Sequence, residues 1–199
     1  MSEISRNDII ISVSIVAMLL ISVGFITLLN NNNPPVFGFF HEGESQTFLT
    51  YTDNKNHYEI KYPNTWERSV KLNNEVLFIA PKDASSVSSP AGFVVKTIPT
   101  PGKNISTDAA TKQLTSEIQA AHQDFNLEST TTTNIDGKKA TKIIFTATDS
   151  KLQNRKAMQI VISNYENLYI LTYKASTDKY GSYENTANQM VDSFKFLPR

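Results

Sequence analysis

The sequence contains no cysteine among its 199 residues. A disulfide framework, a thiolate nucleophile and a Cys-ligated zinc or iron–sulfur site are therefore excluded. Glycine is also scarce, with seven residues, and no glycine-rich loop of the kind that cradles a phosphate occurs. The stability of any folded region must come from packing and hydrogen bonds.

An excess of charge of one sign is also lacking. Lys and Arg number 19, Asp and Glu number 19, and the formal net charge is zero. Short basic clusters occur at residues 138–142 and 151–156, but no aromatic side chains are interleaved with them. Nucleic-acid binders combine basic grooves with aromatic stacking platforms. The sequence therefore predicts no nucleic-acid partner.

Residues with catalytic or metal-binding chemistry are few. Only three histidines occur, and none has a second histidine at the spacing of a zinc protease. His57 and His122 are the candidate metal ligands, although a histidine near a helix C-terminus is also explained by the helix dipole. No Gly-x-Ser-x-Gly elbow occurs. The sequence predicts no catalytic residue and no cofactor, and we expect no enzyme activity.

One long apolar run is present at residues 9–29, beginning at Ile9 and ending at Leu29. It contains no charged residue, Pro, Asn or Gln. A helix of this length would be roughly 31 Å long, which matches a hydrocarbon core of about 30 Å. The apolar part of a cleaved signal peptide is usually about 7–15 residues long. The run therefore predicts a transmembrane anchor that is retained.

The flanks of this run predict its orientation. Arg6 is the only Lys or Arg before it, and the next Lys or Arg after it is Lys55. The positive-inside rule then places residues 1–8 in the cytoplasm and residues 51–199 in an extracytoplasmic domain. Residues 30–50 form a linker of asparagine, proline and aromatic residues. Its aromatic part, residues 36–40, is expected to rest among the lipid headgroups, and the alternative is that it docks on the folded domain. We expect a single-pass protein of the cell membrane.

In the predicted domain, hydrophobic residues recur first with the period of a strand and then with that of a helix, and this alternation is repeated along the chain. Tyr58, Ile60 and Tyr62 alternate with charged residues, and residues 76–80 and 93–98 are two further β-rich runs. One helical stripe follows, with Thr107 as the predicted cap, at Ala110, Leu114, Ile118, Ala121 and Phe125. Asp136-Gly137 predicts a hairpin that opens a meander with turns at residues 149–154 and 164–167. A second helical stripe is formed by Tyr180, Tyr183, Ala187, Met190, Val191 and Phe194.

These elements predict an α+β domain. Two amphipathic helices each need an apolar surface, and an antiparallel sheet of about six strands has two faces. An α/β/α sandwich satisfies this need, as does a sheet with both helices on one face. We expect the sandwich, preceded by the transmembrane helix.

Two segments resemble the PsbP family. Residues 56–67, NHYEIKYPNTWE, are similar to its opening strand, which ends in Tyr-Pro and is followed by Trp, and residues 190–196, MVDSFKF, resemble its closing helix. The motif residues are Tyr58, Tyr62, Pro63, Trp66 and Phe194. The resemblance implies a Mog1/PsbP/LpqN-like fold in a membrane-anchored prokaryotic relative. Trp66 is expected to cover one end of the core, and the alternative is a ligand-stacking role.

A possible glycosylation acceptor lies before the first predicted helix. Asn104, Ile105 and Ser106 form an Asn-x-Ser sequon in a predicted loop. The alternative is that Ser106 is simply part of the helix start.

Two classes of function remain open. The first is a non-catalytic binding or assembly module whose tether places it near a protein partner in or near the same membrane. The second is a domain that binds a small ligand, a lipid or a metal ion in a gap between sheet and helix. The family resemblance implies scaffolding more than carriage.

Overall fold

The computed structural model describes residues 46–71, 73–82, 90–122, 124–148 and 153–199. In these ranges the chain forms ten strands and two helices. In chain order they are β1 (Phe48–Asp53), β2 (Tyr58–Pro63), β3 (Glu67–Lys71), β4 (Glu75–Ile79), β5 (Gly92–Pro99), α1 (Thr107–Ala121), β6 (Asn126–Ile135), β7 (Lys138–Thr148), β8 (Asn154–Asn164), β9 (Asn167–Ser176), α2 (Tyr180–Asp192) and β10 (Lys195–Phe196).

The predicted membrane span at residues 9–29 lies outside the described residues. Among those that are described, no helix is long and apolar enough to cross a membrane. The first strand, β1, already begins at Phe48, within the segment predicted as linker.

The described strands form two antiparallel sheets. The large sheet has the order β3-β4-β5-β9-β8-β7-β6, and the small sheet has the order β1-β2-β10. The α+β class with antiparallel pairing and two helices is confirmed, but the prediction of about six strands was too low. The sequence pattern missed β1, β3 and β10, which are short and bury few side chains. Short strands whose side chains are only partly buried carry no clear hydrophobic alternation.

The two helices cover opposite faces of the large sheet. Ala110 and Leu114 of α1 pack with Val161 of β8 and with Leu168 and Ile170 of β9. On the other face, the small sheet and α2 pack against the remaining side chains of these strands, which include Ile160, Ile162, Tyr169, Leu171 and Tyr173. Because both faces of β8 and β9 are covered, these strands are buried almost continuously.

Tight turns at one end of the large sheet fix its register. Asp136 and Gly137 both have positive φ, 47° and 78°, and the Gly137 N–H donates a hydrogen bond of 2.8 Å to Asn134 Oδ1. The predicted hairpin between β6 and β7 is confirmed by their antiparallel pairing. Asp and Gly both tolerate the backbone conformation of its turn. The turn between β8 and β9 contains Tyr165, whose φ is also positive at 53°.

The cap of α1 differs from the prediction. Ser106, rather than Thr107, is the N-cap, and its hydroxyl accepts a hydrogen bond of 3.2 Å from the Ala109 N–H. Thr107 is the first helical residue, and its hydroxyl accepts from the Ser163 N–H at 3.1 Å and donates to the Lys139 carbonyl at 3.3 Å. Thr107 thus joins the helix start to β7 and β8. The helix ends at Ala121, so Phe125 lies beyond it.

Replacing Ser106 with alanine is expected to lower the free energy of unfolding by about 1 kcal/mol, because an N–H at the helix start loses its acceptor. Chemical denaturation of the full chain in detergent, followed by circular dichroism, measures the change. Ser106→Asp, which keeps an acceptor oxygen, is the control and should stay close to wild type. Equal losses in both variants would contradict the capping role.

A carboxylate links the segment after α1 to the end of β7. Asp124 Oδ2 accepts a hydrogen bond of 2.8 Å from the Thr148 N–H and another from the Thr148 hydroxyl. The hydrogen bond from the Thr148 hydroxyl is the main reason why the pKa of Asp124 lies below its ordinary value of 3.8. The charged form is therefore favoured in the folded chain.

We expect this contact to make stability depend on acid pH. Because the folded-state pKa is lowered, its stabilisation is fully present above the unfolded pKa and is lost as the pH falls through the folded pKa. This is measured by thermal unfolding of wild type and Asp124→Asn between about pH 3 and about pH 7, a range in which carboxyl groups titrate. The difference in melting temperature should shrink toward acid pH. A difference that is constant with pH would refute the link.

Candidate functional site

The aromatic motif residues lie in the core between the large sheet, the small sheet and α2. Tyr58, Tyr62, Trp66 and Phe194 are all buried. The Tyr58 and Phe194 rings stack with their centroids 5.2 Å apart, and the ring centroids of Tyr62 and Phe78 are 4.7 Å apart. Burial also raises the pKa of the Tyr58 phenol above its usual range. Their positions are those of packing residues.

Pro63 ends β2 and turns the chain toward Trp66. The Trp66 N–H donates to the Pro63 carbonyl at 3.0 Å, and the residue is 4% exposed. Its edge-to-face partner is Tyr183 of α2, at a centroid distance of 5.7 Å. Trp66 therefore packs the connection after β2 against α2.

A serine that the sequence reasoning gave no role closes α2 onto β2. The Ser193 hydroxyl accepts a hydrogen bond of 2.9 Å from the Lys61 N–H and donates one of 2.7 Å to the Met190 carbonyl. The only signal for this role was the Ser-Phe-Lys ending of the predicted helix. Together, Ser193 and the adjacent Phe194 fix the closing helix to the opening strand.

His57 lies in the turn that precedes β2. It has a positive φ of 56°, and its carbonyl accepts a hydrogen bond of 2.9 Å from the Leu197 N–H. Its ring Nδ1 is 3.2 Å from the Pro198 carbonyl oxygen, so the ring donates when Nδ1 carries the proton. Nearby Asp53 accepts from the backbone and side chain of Asn56 at 2.9 and 2.8 Å. This turn therefore holds the C-terminal segment.

His122 lies elsewhere, at the end of α1. Its N–H donates to the Ile118 carbonyl at 3.1 Å, and its own carbonyl accepts from the Phe125 N–H at 3.1 Å. It is thus on the α1 face of the large sheet, whereas His57 adjoins the small sheet on the other face. Across the part of the chain that the structure describes, no group of three or more His, Cys, Asp or Glu residues could hold a metal ion.

Asn104 is exposed in the connection between β5 and α1. Ser106 of the same sequon serves as the helix cap. Glycosylation of Asn104 stays a prediction, which peptide mass spectrometry of the native protein would test.

An exposed aromatic ring with two cations marks the end of the domain formed by the β8–β9 turn. Tyr165 is 69% exposed, the Arg199 guanidinium carbon lies 4.8 Å from its ring centroid, and Lys138 Nζ lies 5.5 Å from it. We name these three residues the Tyr165 surface. Tyrosine and arginine are the types that dominate binding hot spots. Sequence reasoning interpreted this segment only as a turn, although a large aromatic residue in a two-residue turn is an unusual choice.

The described chain begins at the opposite end of the domain. The Thr47 carbonyl accepts from the Asn64 N–H at 2.9 Å, beside the last residue of β2. The start of β2 adjoins the Tyr165 surface, since His57 Nδ1 lies 3.2 Å from the carbonyl oxygen of Pro198, the residue before Arg199. Strand β2 spans about 20 Å between these ends, at about 3.3 Å per residue. The Tyr165 surface therefore lies near the end of β2 that is opposite to Thr47, where the described chain begins.

Polar side chains are buried on the α1 face of the large sheet. Lys96 of β5 and Glu75 of β4 form an ion pair of 3.1 Å with side chains 5% and 8% exposed. Gln159 of β8 donates to the Thr172 hydroxyl at 3.1 Å, while its own Oε1 has no hydrogen-bond partner in the described ranges. Glu117 Oε2 of α1 also lacks one there, and burial raises the pKa of this carboxyl group.

Comparison with family models matches residues 46–196 to PsbP. The chain belongs to the PsbP family. The match covers β1 to β10 and so includes every described helix and strand. No curated protein matches the chain.

Solved structures that share the fold of this PsbP-family domain have low sequence identity to it. The PsbP protein CyanoP from Synechocystis sp. is 17% identical, with a TM-score of 0.55 over 80% of this chain and 98% of that one. Protein PA94 from Pseudomonas aeruginosa is 19% identical, with a TM-score of 0.53 over 76% and 97%. The Saccharomyces cerevisiae Ran-binding protein Mog1p is 8% identical, with a TM-score of 0.54 over 77% and 97%. These similarities confirm the predicted fold.

Proposed function

We propose that this PsbP-family domain is a non-catalytic binding or assembly module that is tethered to the cell membrane and binds a protein partner. The observation that carries the proposal is the Tyr165 surface, which presents an exposed tyrosine with Lys138 and Arg199 on its ring. Ordering such a ring in advance reduces the entropy lost when a partner covers it. The fold neighbour Mog1p, a Ran-binding protein, supports protein binding as a use of this fold.

The position of the Tyr165 surface suits a tethered domain. Residues 9–29 are the proposed single membrane span, with the N-terminus in the cytoplasm and the domain outside. The chain then joins the domain near Asn64, about 20 Å along β2 from the Tyr165 surface. A tether at one end leaves the other end accessible. Confinement to the membrane would raise the effective concentration of a partner held there.

Co-purification of the full chain from its own membranes after chemical cross-linking tests the proposal. We expect the chain to stay with the membrane on alkaline extraction and to capture one protein in stoichiometric amount. Tyr165→Ala should reduce the capture about tenfold, as expected for a hot-spot tyrosine. Val70→Ala, a truncation at a side chain that is 60% exposed, is the matched control and should capture normally.

Three results would contradict the proposal. The first is a mature chain that is freely soluble because it has been cleaved after Leu29. The second is a purified chain that carries lipid or metal and no protein partner. The third is efficient turnover of a substrate by the pure protein.

The binding of a small polar ligand is the second candidate function. It is favoured by Gln159 Oε1 and Glu117 Oε2, buried polar atoms that lack a hydrogen-bond partner among the described residues. Burying such atoms without a partner costs free energy that a ligand could recover. Native mass spectrometry of the full chain in detergent distinguishes the candidates, because a bound small molecule would appear as a discrete added mass.

A further inference from the structure

Strand β6 is a long edge strand. In the described part of the chain it pairs only with β7, and its other side has no strand beside it. It has ten residues, of which most are exposed, and only Ile135 is buried. An unpaired strand edge offers a row of N–H and C=O groups to another extended chain.

The composition of β6 does not protect this edge. The segment from Ser129 to Ile135 has no charged residue and no proline, and four consecutive threonines occupy most of it. The one charged residue of the strand, Glu128, is paired with Lys156 at 2.6 Å. Proteins usually guard edges with lysine, proline or short length. The other edge strand of the large sheet, β3, follows this rule, since it has five residues and three of them are charged.

The hairpin geometry shows which groups of β6 point outward. Asp136 and Gly137 form a two-residue loop, so its flanking pair, Ile135 and Lys138, is hydrogen-bonded. Bonded and non-bonded pairs alternate along an antiparallel ladder. The residues of β6 in non-bonded pairs are therefore Asn134, Thr132 and Thr130, and their backbone groups face away from β7.

We infer that an extended segment of the protein partner adds as a strand to the β6 edge. This inference rests on the proposed function and names the partner's chemistry, namely an uncharged segment rich in β-branched residues. Such a segment gains affinity from main-chain hydrogen bonds, and its alternate side chains face the threonines of β6. The edge ends beside Lys138, which reaches Tyr165, so a partner on β6 is continuous with the Tyr165 surface.

A second copy of this chain fits the edge less well. Antiparallel pairing of two β6 strands about a two-fold axis would reverse one domain relative to the other. The ends at which residues 1–45 join the two domains would then point in opposite directions. Two copies tethered in one membrane would then need linkers that reach it from opposite ends of the paired domains.

The first experiment uses a defined probe and the full chain in detergent. The probe is a blocked ten-residue peptide that alternates threonine and valine. Residue-level hydrogen exchange should show that the peptide slows the outward amides of Thr130, Thr132 and Asn134 by roughly tenfold or more, the effect of adding a ladder hydrogen bond. The inward amides of Thr131 and Thr133 serve as internal controls. Absence of protection at the outward amides at saturating peptide would overturn the inference.

The second experiment uses the partner captured from membranes. Thr132→Lys guards the edge with a charge, and Thr132→Pro removes an outward N–H while leaving the ladder to β7 intact. Both variants should reduce capture about tenfold, as expected from the loss of a ladder hydrogen bond. Val70→Lys on the β3 edge is the matched control and should capture normally.

The outcomes separate the two proposals. Normal capture by both Thr132 variants would overturn the edge inference and leave the proposed function standing. Failure of the wild-type chain to capture any protein would refute the proposed function, while the peptide experiment would still decide the edge. If the outward amides become protected as the chain concentration rises without peptide, and the mass doubles by light scattering, the edge pairs with a second copy and the inferred partner is wrong.

Discussion

Replacing Trp66 with alanine is expected to lower the free energy of unfolding by about 3 kcal/mol or more. Trp66 is 4% exposed and its ring packs edge-to-face on Tyr183, so removing the ring leaves a cavity between the turn after β2 and helix α2. The loss combines the apolar surface no longer buried with the cavity that the neighbours cannot fill. Chemical denaturation of the full chain in detergent, followed by circular dichroism, measures it.

A matched truncation at the surface controls for the method. Val70 is 60% exposed on β3, and Val70→Ala should change stability by less than about 0.5 kcal/mol. If Trp66→Ala left the melting temperature unchanged but abolished binding of a ligand, Trp66 would be a binding residue and its packing role would be wrong.

The second large effect is expected at the buried ion pair. Lys96→Met keeps most of the side-chain volume but removes the charge that faces Glu75 at 3.1 Å. The Glu75 carboxylate, 8% exposed, would then lie buried without its cation. Breaking a buried pair in this way costs about 3–5 kcal/mol, because an uncompensated charge remains in a poorly solvated site. The same denaturation measurement gives the loss.

Two further variants show whether the loss of stability comes from the uncompensated charge on Glu75. Lys96→Met combined with Glu75→Leu removes both charges and should be more stable than Lys96→Met alone. Lys139→Met breaks the exposed pair between Lys139 and Asp108, which is 2.7 Å long with side chains 55% and 66% exposed. That loss should stay below about 1 kcal/mol. Equal losses at the buried and exposed pairs would refute the argument.

The strands that the sequence predicted best are those with covered faces. The apolar runs of β8 and β9 are long and bounded by turns, so their pattern is strong. By contrast, β1 and β3 have half-exposed side chains and gave no usable alternation. The cap of α1 shifted by one residue because Ser106 and Thr107 are both acceptable caps, and only the contacts of Thr107 with β7 and β8 separate them.

The surfaces proposed for binding could not be predicted from the sequence. Lys138, Tyr165 and Arg199 are far apart along the chain, and they meet only because the β6–β7 turn, the β8–β9 turn and the C-terminus lie at one end of the domain. Lys96 within an apolar strand gave no indication of its partner, because Glu75 becomes its neighbour only when β4 pairs with β5.

Local patterns alone predicted the α+β class and the PsbP family, because they encode which residues must be buried. These patterns are the order of hydrophobic periods along the chain, the Asp-Gly hairpin, and the Tyr-Pro and Ser-Phe segments. The order of strands in the sheets decided the rest. It placed α1 and α2 on opposite faces, left β6 as an edge strand of the large sheet in the described part of the chain, and collected Lys138, Tyr165 and Arg199 on one surface. These features depend on contacts between distant residues, and such contacts exist only after the chain has folded.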